Sequence, residues 1–295
     1  MSTAFVPAVK TRTGHWGWDE HRYFGHGVFA ELTGKQSLAG MLALSVTGRT
    51  LPPDCIGLID DIAGAVTLAD PRVWPLKLTR LIASYGSTMP AVAAGLLMEE
   101  EARIGPWACV QAAQMLQQLH AAIGANLENP LCVSDAVEAQ MRTRAFVWGF
   151  GTPFRPYDER LVSLREHVKK RGRDQLPYYR IMTAAADIVR DARGVEPNLG
   201  IALAALFLDM GMNPQQIGAI VSALMQHMFL AQAVEGASQP HEGLKKLPDE
   251  ALDYVGRAPR MSPRAERAAR GSVRPAAASE PPPPRSHALG ELGVM

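Results

Sequence analysis

The chain has 295 residues, room for two domains at ~100–200 residues each, and its 47% hydrophobic and 20% charged content excludes wholesale disorder. Thirty Lys and Arg against 29 Asp and Glu give a net charge of +1, so bulk charge speaks against nucleic acid as a partner. The longest unbroken apolar run is eight residues, Ile201 to Leu208, against the ~20 that a membrane-spanning helix needs.

In chain order, the first distinctive segment is GHWGWDEHRYFGHG, residues 14–27, carrying His15, Asp19, Glu20, His21 and His26. Imidazoles and carboxylates are zinc ligands, but no H-E-x-x-H spacing occurs. The segment therefore reads as an arm whose Trp16, Trp18 and Tyr23 pack on a partner, with no metal. Residues 37–46, SLAGMLALSV, have the i, i+3, i+4, i+7 rhythm of an amphipathic helix that stops at Gly48. Pro52-Pro53-Asp54 opens the next, with Ile56, Ile59, Ile62 and Val66 on one face. Further helices are predicted over 76–85, 91–102, 108–123, 133–146, 158–170, 176–193, 199–210 and 215–234. The 199–210 helix is apolar nearly all round and so should be central. Glu99-Glu100-Glu101 reads as an exposed helix turn, and 169–173, KKRGR, as either a phosphate contact or a solvated face. From residue 257 onward the chain turns rich in Pro, Ala and Arg, with four consecutive prolines at 281–284, and reads as a disordered tail.

No period-two alternation is evident, so the fold class is all-α. Three widely spaced cysteines, Cys55, Cys109 and Cys132, make neither a disulfide framework nor a metal knuckle. The opening residues have no signal-peptide apolar core, and the expectation is a cytoplasmic protein without a membrane partner.

Five segments in order resemble the citrate synthase superfamily, especially its small citryl-CoA lyase-like branch. They are ELTGKQSLAGMLALSVTGRTLPP, AVAAGLLMEEEARIGPWACVQAAQML, GFGTPFRPYDER (149–160), PNLGIALAALFLDMG (197–211) and LPDEALDYVG (247–256). The resemblance implies a homodimer, or a heterodimer with an active paralogue. It also implies an arm over 1–28, a large helical domain from 29–106 and 215–256, and a small CoA-binding domain over 107–214. Coenzyme A thioester is the implied ligand, with Gly149, Phe150, Gly151, Pro153 and Asn198 lining its place and Arg160 holding a substrate carboxylate.

The family reaction makes or breaks a C–C bond beside a thioester carbonyl. A carboxylate takes a proton from the acyl methyl group, and hydrogen-bond donors hold the enolate and the partner carbonyl. The family supplies Asp, His and His, and this chain departs at each place. Pro71 stands where the first histidine is expected, Thr152 where the second follows GFG, and Gly200 where the aspartate ends "PNVD". Proline and glycine have no side chain that handles a proton, and threonine donates a hydrogen bond without titrating near neutrality. A family arginine on the penultimate long helix falls near Met225. Replacement chemistry could come from Asp70 and Arg72 beside Pro71, or from His15, His21 or His26 of an arm. Two readings follow: a divergent acyl-CoA lyase or acyltransferase with its acid–base groups recruited elsewhere, or an inactive relative kept as a binding or regulatory subunit.

Overall fold

The structure, a computed structural model, describes residues 9–143, 147–153, 155–241, 248–257, 260 and 262–271. Those up to His241 belong to one compact unit. It opens with three two-residue strands, β1 (Gly14–His15), β2 (Arg22–Tyr23) and β3 (His26–Gly27), paired antiparallel in sequence order. These strands are too short to leave any alternation in the sequence, which is why the arm's small sheet was not expected. A π-turn over Val28–Leu32 leads out of it.

Ten helices follow in this unit among the described residues: α1 (Leu38–Thr47), α2 (Pro53–Ala65), α3 (Trp74–Ala83), α4 (Thr88–Glu101), α5 (Pro106–Ile123), α6 (Pro130–Thr143), α7 (Glu159–Lys170), α8 (Pro177–Arg193), α9 (Leu199–Asp209) and α10 (Pro214–Ala237). Their ends follow local chemistry. The Ser37 hydroxyl accepts from Gly40 N–H to start α1, and Gly48 closes it in the left-handed region at φ 70°. Asn213 and Gln216 form a reciprocal capping box at α10, with Pro214 inside it.

Helix α9 is the centre, as its composition predicts. Every residue from Ile201 to Leu208 is buried, and Phe207 is fully so. Each such side chain contributes ~1.5–3 kcal/mol when withdrawn from water. Helices α5 and α8 pack on α9, while α3, α4 and α10 make a second apolar cluster around Leu76, Val92, Met228 and Phe229. Met225 of α10 packs against both clusters and marks the seam between them.

By length and composition α10 could cross a membrane, which the unbroken-run argument overlooked because Ser222, Gln226 and His227 interrupt its apolar residues. It instead packs on α3, α4 and α5 and buries Ile217, Ile220, Val221, Phe229 and Ala233, as a core helix does. The second unit, from Lys245 on, contributes one described α-helix, α11 (Pro263–Gly271), inside the stretch expected to be disordered. Ser262 Oγ accepts from Ala265 N–H at its start, and Ala, Arg and Glu are strong helix formers. The rest of that expectation lies outside the described residues.

Candidate functional site

The loop after α6 and the start of α9 are tied together by backbone pairing. Phe150 bridges Pro197 in an antiparallel sense. Gly151 N–H donates to Glu196 O at 2.7 Å, and Asn198 N–H donates to Gly149 O at 2.8 Å. Asn198 works on both sides: its Nδ2 donates to Gly151 O at 2.9 Å, and its Oδ1 accepts Gly200 N–H at 2.9 Å to cap α9. Gly149 is the position where glycine is required. Its φ is +85°, and a Cβ there would stand 2.3 Å from Ile201 Cβ.

Asp158 locks this junction, a role that sequence reasoning did not assign. It is 2% exposed, caps α7 through Arg160 N–H, and accepts Leu199 N–H at 2.8 Å. Arg160 lays its guanidinium fork on the same carboxylate, Nε to Oδ1 and Nη2 to Oδ2, each at 2.9 Å. Burial pushes the Asp158 carboxyl up, but the Arg160 and Leu199 hydrogen bonds outweigh it and hold it below the usual carboxylate range. Arg160 is thus placed beside the site, with Nη1 as its nitrogen without a hydrogen bond among the described residues.

The other expected residues fall as follows. Gly149, Phe150, Gly151, Thr152, Asn198 and Gly200 are brought to one junction. The Thr152 Oγ1 is buried with no hydrogen-bond partner among the described residues. Pro153 is exposed next to it. Pro71 sits in an exposed turn ahead of α3. Its neighbours are occupied with each other: Arg72 forks onto Asp70 with contacts of 2.5–3.0 Å and holds that carboxyl at about 2. The Asp70 carboxylate is thus engaged by Arg72 in this turn. The turn does lie within electrostatic reach of Arg155 in the 149–160 loop.

The acidic run at 99–101 is not uniformly exposed: Glu100 and Glu101 face water, but Glu99 is 4% exposed. The signal was present in the spacing, since Ala91, Val92, Gly95 and Glu99 share one face of α4. No hydrogen bond or ion pair holds its carboxyl among the described residues. Burial, then the Glu100 charge, pushes it up to about 7. Its Oε1 would lie 2.7 Å from a Cβ on Gly105, with Met225 Cε at 3.3 Å. Buried Cys109, one turn into α5, feels Glu99, and its thiol is pushed up to about 12 by burial first. Cys109 Sγ in turn lies 3.7 Å from where a Cβ on Gly200 would stand.

Within the single chain, the remaining candidates lie elsewhere. Arg171 and Arg173 of the basic run bind Asp54 and Asp61 of α2, fastening α7 to it. His15 and His21 line a cavity of about 550 Å³ with Trp16, Tyr23, Val28 and Met41, and His26 pairs with Glu31. The arm rests on α1, where the Tyr23 hydroxyl donates to Ser45 Oγ at 2.7 Å, while Trp16 and Trp18 are exposed.

The unit is thus helical, centred on a buried helix with a glycine loop clamped to that helix's start. No family model matches the chain, and no curated protein does either. Solved structures do. Citryl-CoA lyase from Hydrogenobacter thermophilus superposes with a TM-score of 0.75 at 20% identity, covering 88% of this chain and 100% of that one. ATP citrate lyase from Methanothrix soehngenii, in complex with citrate and coenzyme A, gives 0.66 at 16% identity over 86% of this chain and 42% of that one. Citrate synthase from Thermotoga maritima gives 0.55 at 18% identity over 79% of this chain and 61% of that one. The expected fold is the one observed.

Proposed function

We propose that this chain binds an acyl-CoA thioester at the junction of the 149–153 loop with the start of α9, as a divergent relative of citrate synthase and citryl-CoA lyase that forms or cleaves a C–C bond. The observation that carries the reading is the buried Thr152 hydroxyl, without a partner among the described residues, beside a loop whose glycines let backbone approach a ligand. Such a hydroxyl is a donor awaiting an acceptor, and a thioester or enolate oxygen is one. Arg160 Nη1 then offers a charged donor to a carboxylate on the acyl or partner substrate. Gly149, Phe150, Gly151, Pro153 and Asn198 line the coenzyme. The division into 29–106 with 215–256 and a closing unit over 107–214 belongs to the same proposal, as does assembly into a dimer.

The ordinary reaction should be absent. Losing one acid–base group or oxyanion donor costs ~10²–10⁴ in rate, and Pro71, Thr152 and Gly200 replace all three. Calorimetry with CoA and acetyl-CoA, alongside assays of citryl-CoA cleavage and citrate synthesis, tests the reading. Saturable binding with negligible turnover of those two substrates is expected; a flat titration refutes it. The second reading, an inactive binding or regulatory subunit, rests on those same three replacements. It is favoured if CoA binds while the acyl methyl protons never exchange with solvent.

A further inference from the structure

We infer that Glu99 is the carboxylate that exchanges a proton with the acyl group at this site, reaching from α4 to the ground left empty by Gly200. The inference rests on the thioester-binding reading above and deepens it.

The geometry runs through two contacts. A Cβ at position 200 would stand 3.1 Å from Asn198 Oδ1 and 3.7 Å from Cys109 Sγ. Glu99 comes to that same thiol from another helix, within electrostatic reach, with Gly105 and Met225 beside its carboxyl. Gly105 O accepts Cys109 N–H, so Gly105 and Cys109 belong to the opening turn of α5, where partial positive charge favours a nearby anion. A buried carboxylate without a hydrogen bond is costly unless a ligand or a proton completes it. Ordinary core packing would be served better by an apolar residue. Among the described residues, Glu100 on its own helix, Cys109 on α5 and Met225 on α10 face Glu99.

The step balances without a further reagent. The Glu99 carboxylate accepts a proton from the acyl methyl carbon; the C–H bond breaks, an O–H bond forms, and the electron pair moves onto the thioester oxygen as an enolate. The Thr152 hydroxyl donates to that oxygen. Return of a solvent-derived proton regenerates the thioester. With its carboxyl pushed up to about 7, Glu99 is matched to proton transfer near neutral pH, whereas Cys109, pushed up to about 12, is not.

The test follows loss of the acetyl-CoA methyl signal in D₂O by proton NMR, with affinity measured by calorimetry in parallel. Glu99→Gln keeps the shape and removes the base. It is expected to bind acetyl-CoA as wild type does while exchanging ~10²–10⁴-fold more slowly. Glu99→Asp should recover part of the rate, and the wild-type rate should rise with pH through about 7. Equal exchange in wild type and Glu99→Gln overturns the inference and leaves the binding reading standing. Binding without exchange in wild type overturns it in the same way. No binding at all overturns both. Should Glu99→Gln fail to fold, Glu99→Asp and the wild-type pH profile decide, a pH-independent rate being the overturning result.

Discussion

Removing the Asp158 carboxylate should cost far more than removing a surface acid. In Asp158→Ala, three groups lose their partner together: the Leu199 N–H that opens α9, the Arg160 N–H that opens α7, and the Arg160 fork. A lost cap is worth ~1 kcal/mol, and an unsatisfied buried N–H ~1–3 kcal/mol. Breaking a fully buried ion pair costs ~3–5 kcal/mol, but the Arg160 side chain keeps 28% exposure and water can rescue part of it. The expected destabilisation is therefore ~3–5 kcal/mol in all. Urea unfolding followed by circular dichroism measures it as a lower midpoint at unchanged slope. Arg160→Ala should cost nearly as much, because it strands the carboxylate. The double variant should cost less than the sum, since each single change already destroys the pair. The pH sign follows from the depressed Asp158 carboxyl. Its contribution is present above the usual carboxylate range and is lost as pH falls through the depressed value, so the variant should lose its shallow acid shoulder. A change below ~1 kcal/mol would mean that Asp158 does not organise the junction.

Gly149→Ala puts a Cβ against Ile201 at φ +85° and should lose ~2–4 kcal/mol, lowering the melting temperature and weakening CoA binding; an unchanged melting curve would contradict the packing described. Because burial raises the Glu99 carboxyl from 4.5 to about 7, the native chain holds a proton that the unfolded chain releases, and stability should decline as pH rises through that window. Glu99→Gln should flatten the decline and gain ~1–3 kcal/mol at pH 8; urea midpoints across pH 5 to 8 check this, and a variant retaining the wild-type slope refutes it. Iodoacetamide at pH 8 should label half-buried Cys132 well before Cys109, whose thiol is buried and pushed up to about 12; mass spectrometry showing Cys109 modified first would contradict the assignment.

Helix order and most helix ends were legible in the chain because they depend on neighbours in sequence: Ser37 and Gly48 bound α1, Asn213-Pro214 opens α10, and Gly194 closes α8. The clamp of 149–151 onto 196–198 was legible as two motifs, although only the fold shows that Asn198 bonds to both sides of it. What the chain hid depends on long-range packing. Glu99 stands in a run of three acids that locally resembles a solvated turn, and only the contacts of α4 with α3 and α10 decide that one of the three turns inward. Asp158 read only as the start of the 158–170 helix, because the Leu199 N–H that it also accepts is 41 residues away. The arm's strands escaped notice because two residues carry no period.

The most direct test of the whole account is hydrogen–deuterium exchange of the full chain with and without saturating acetyl-CoA. The account predicts slower amide exchange at 147–153, at 196–201 and in the opening turn of α5, with the arm unchanged. Protection confined to the arm or to α11, or none anywhere, would contradict it.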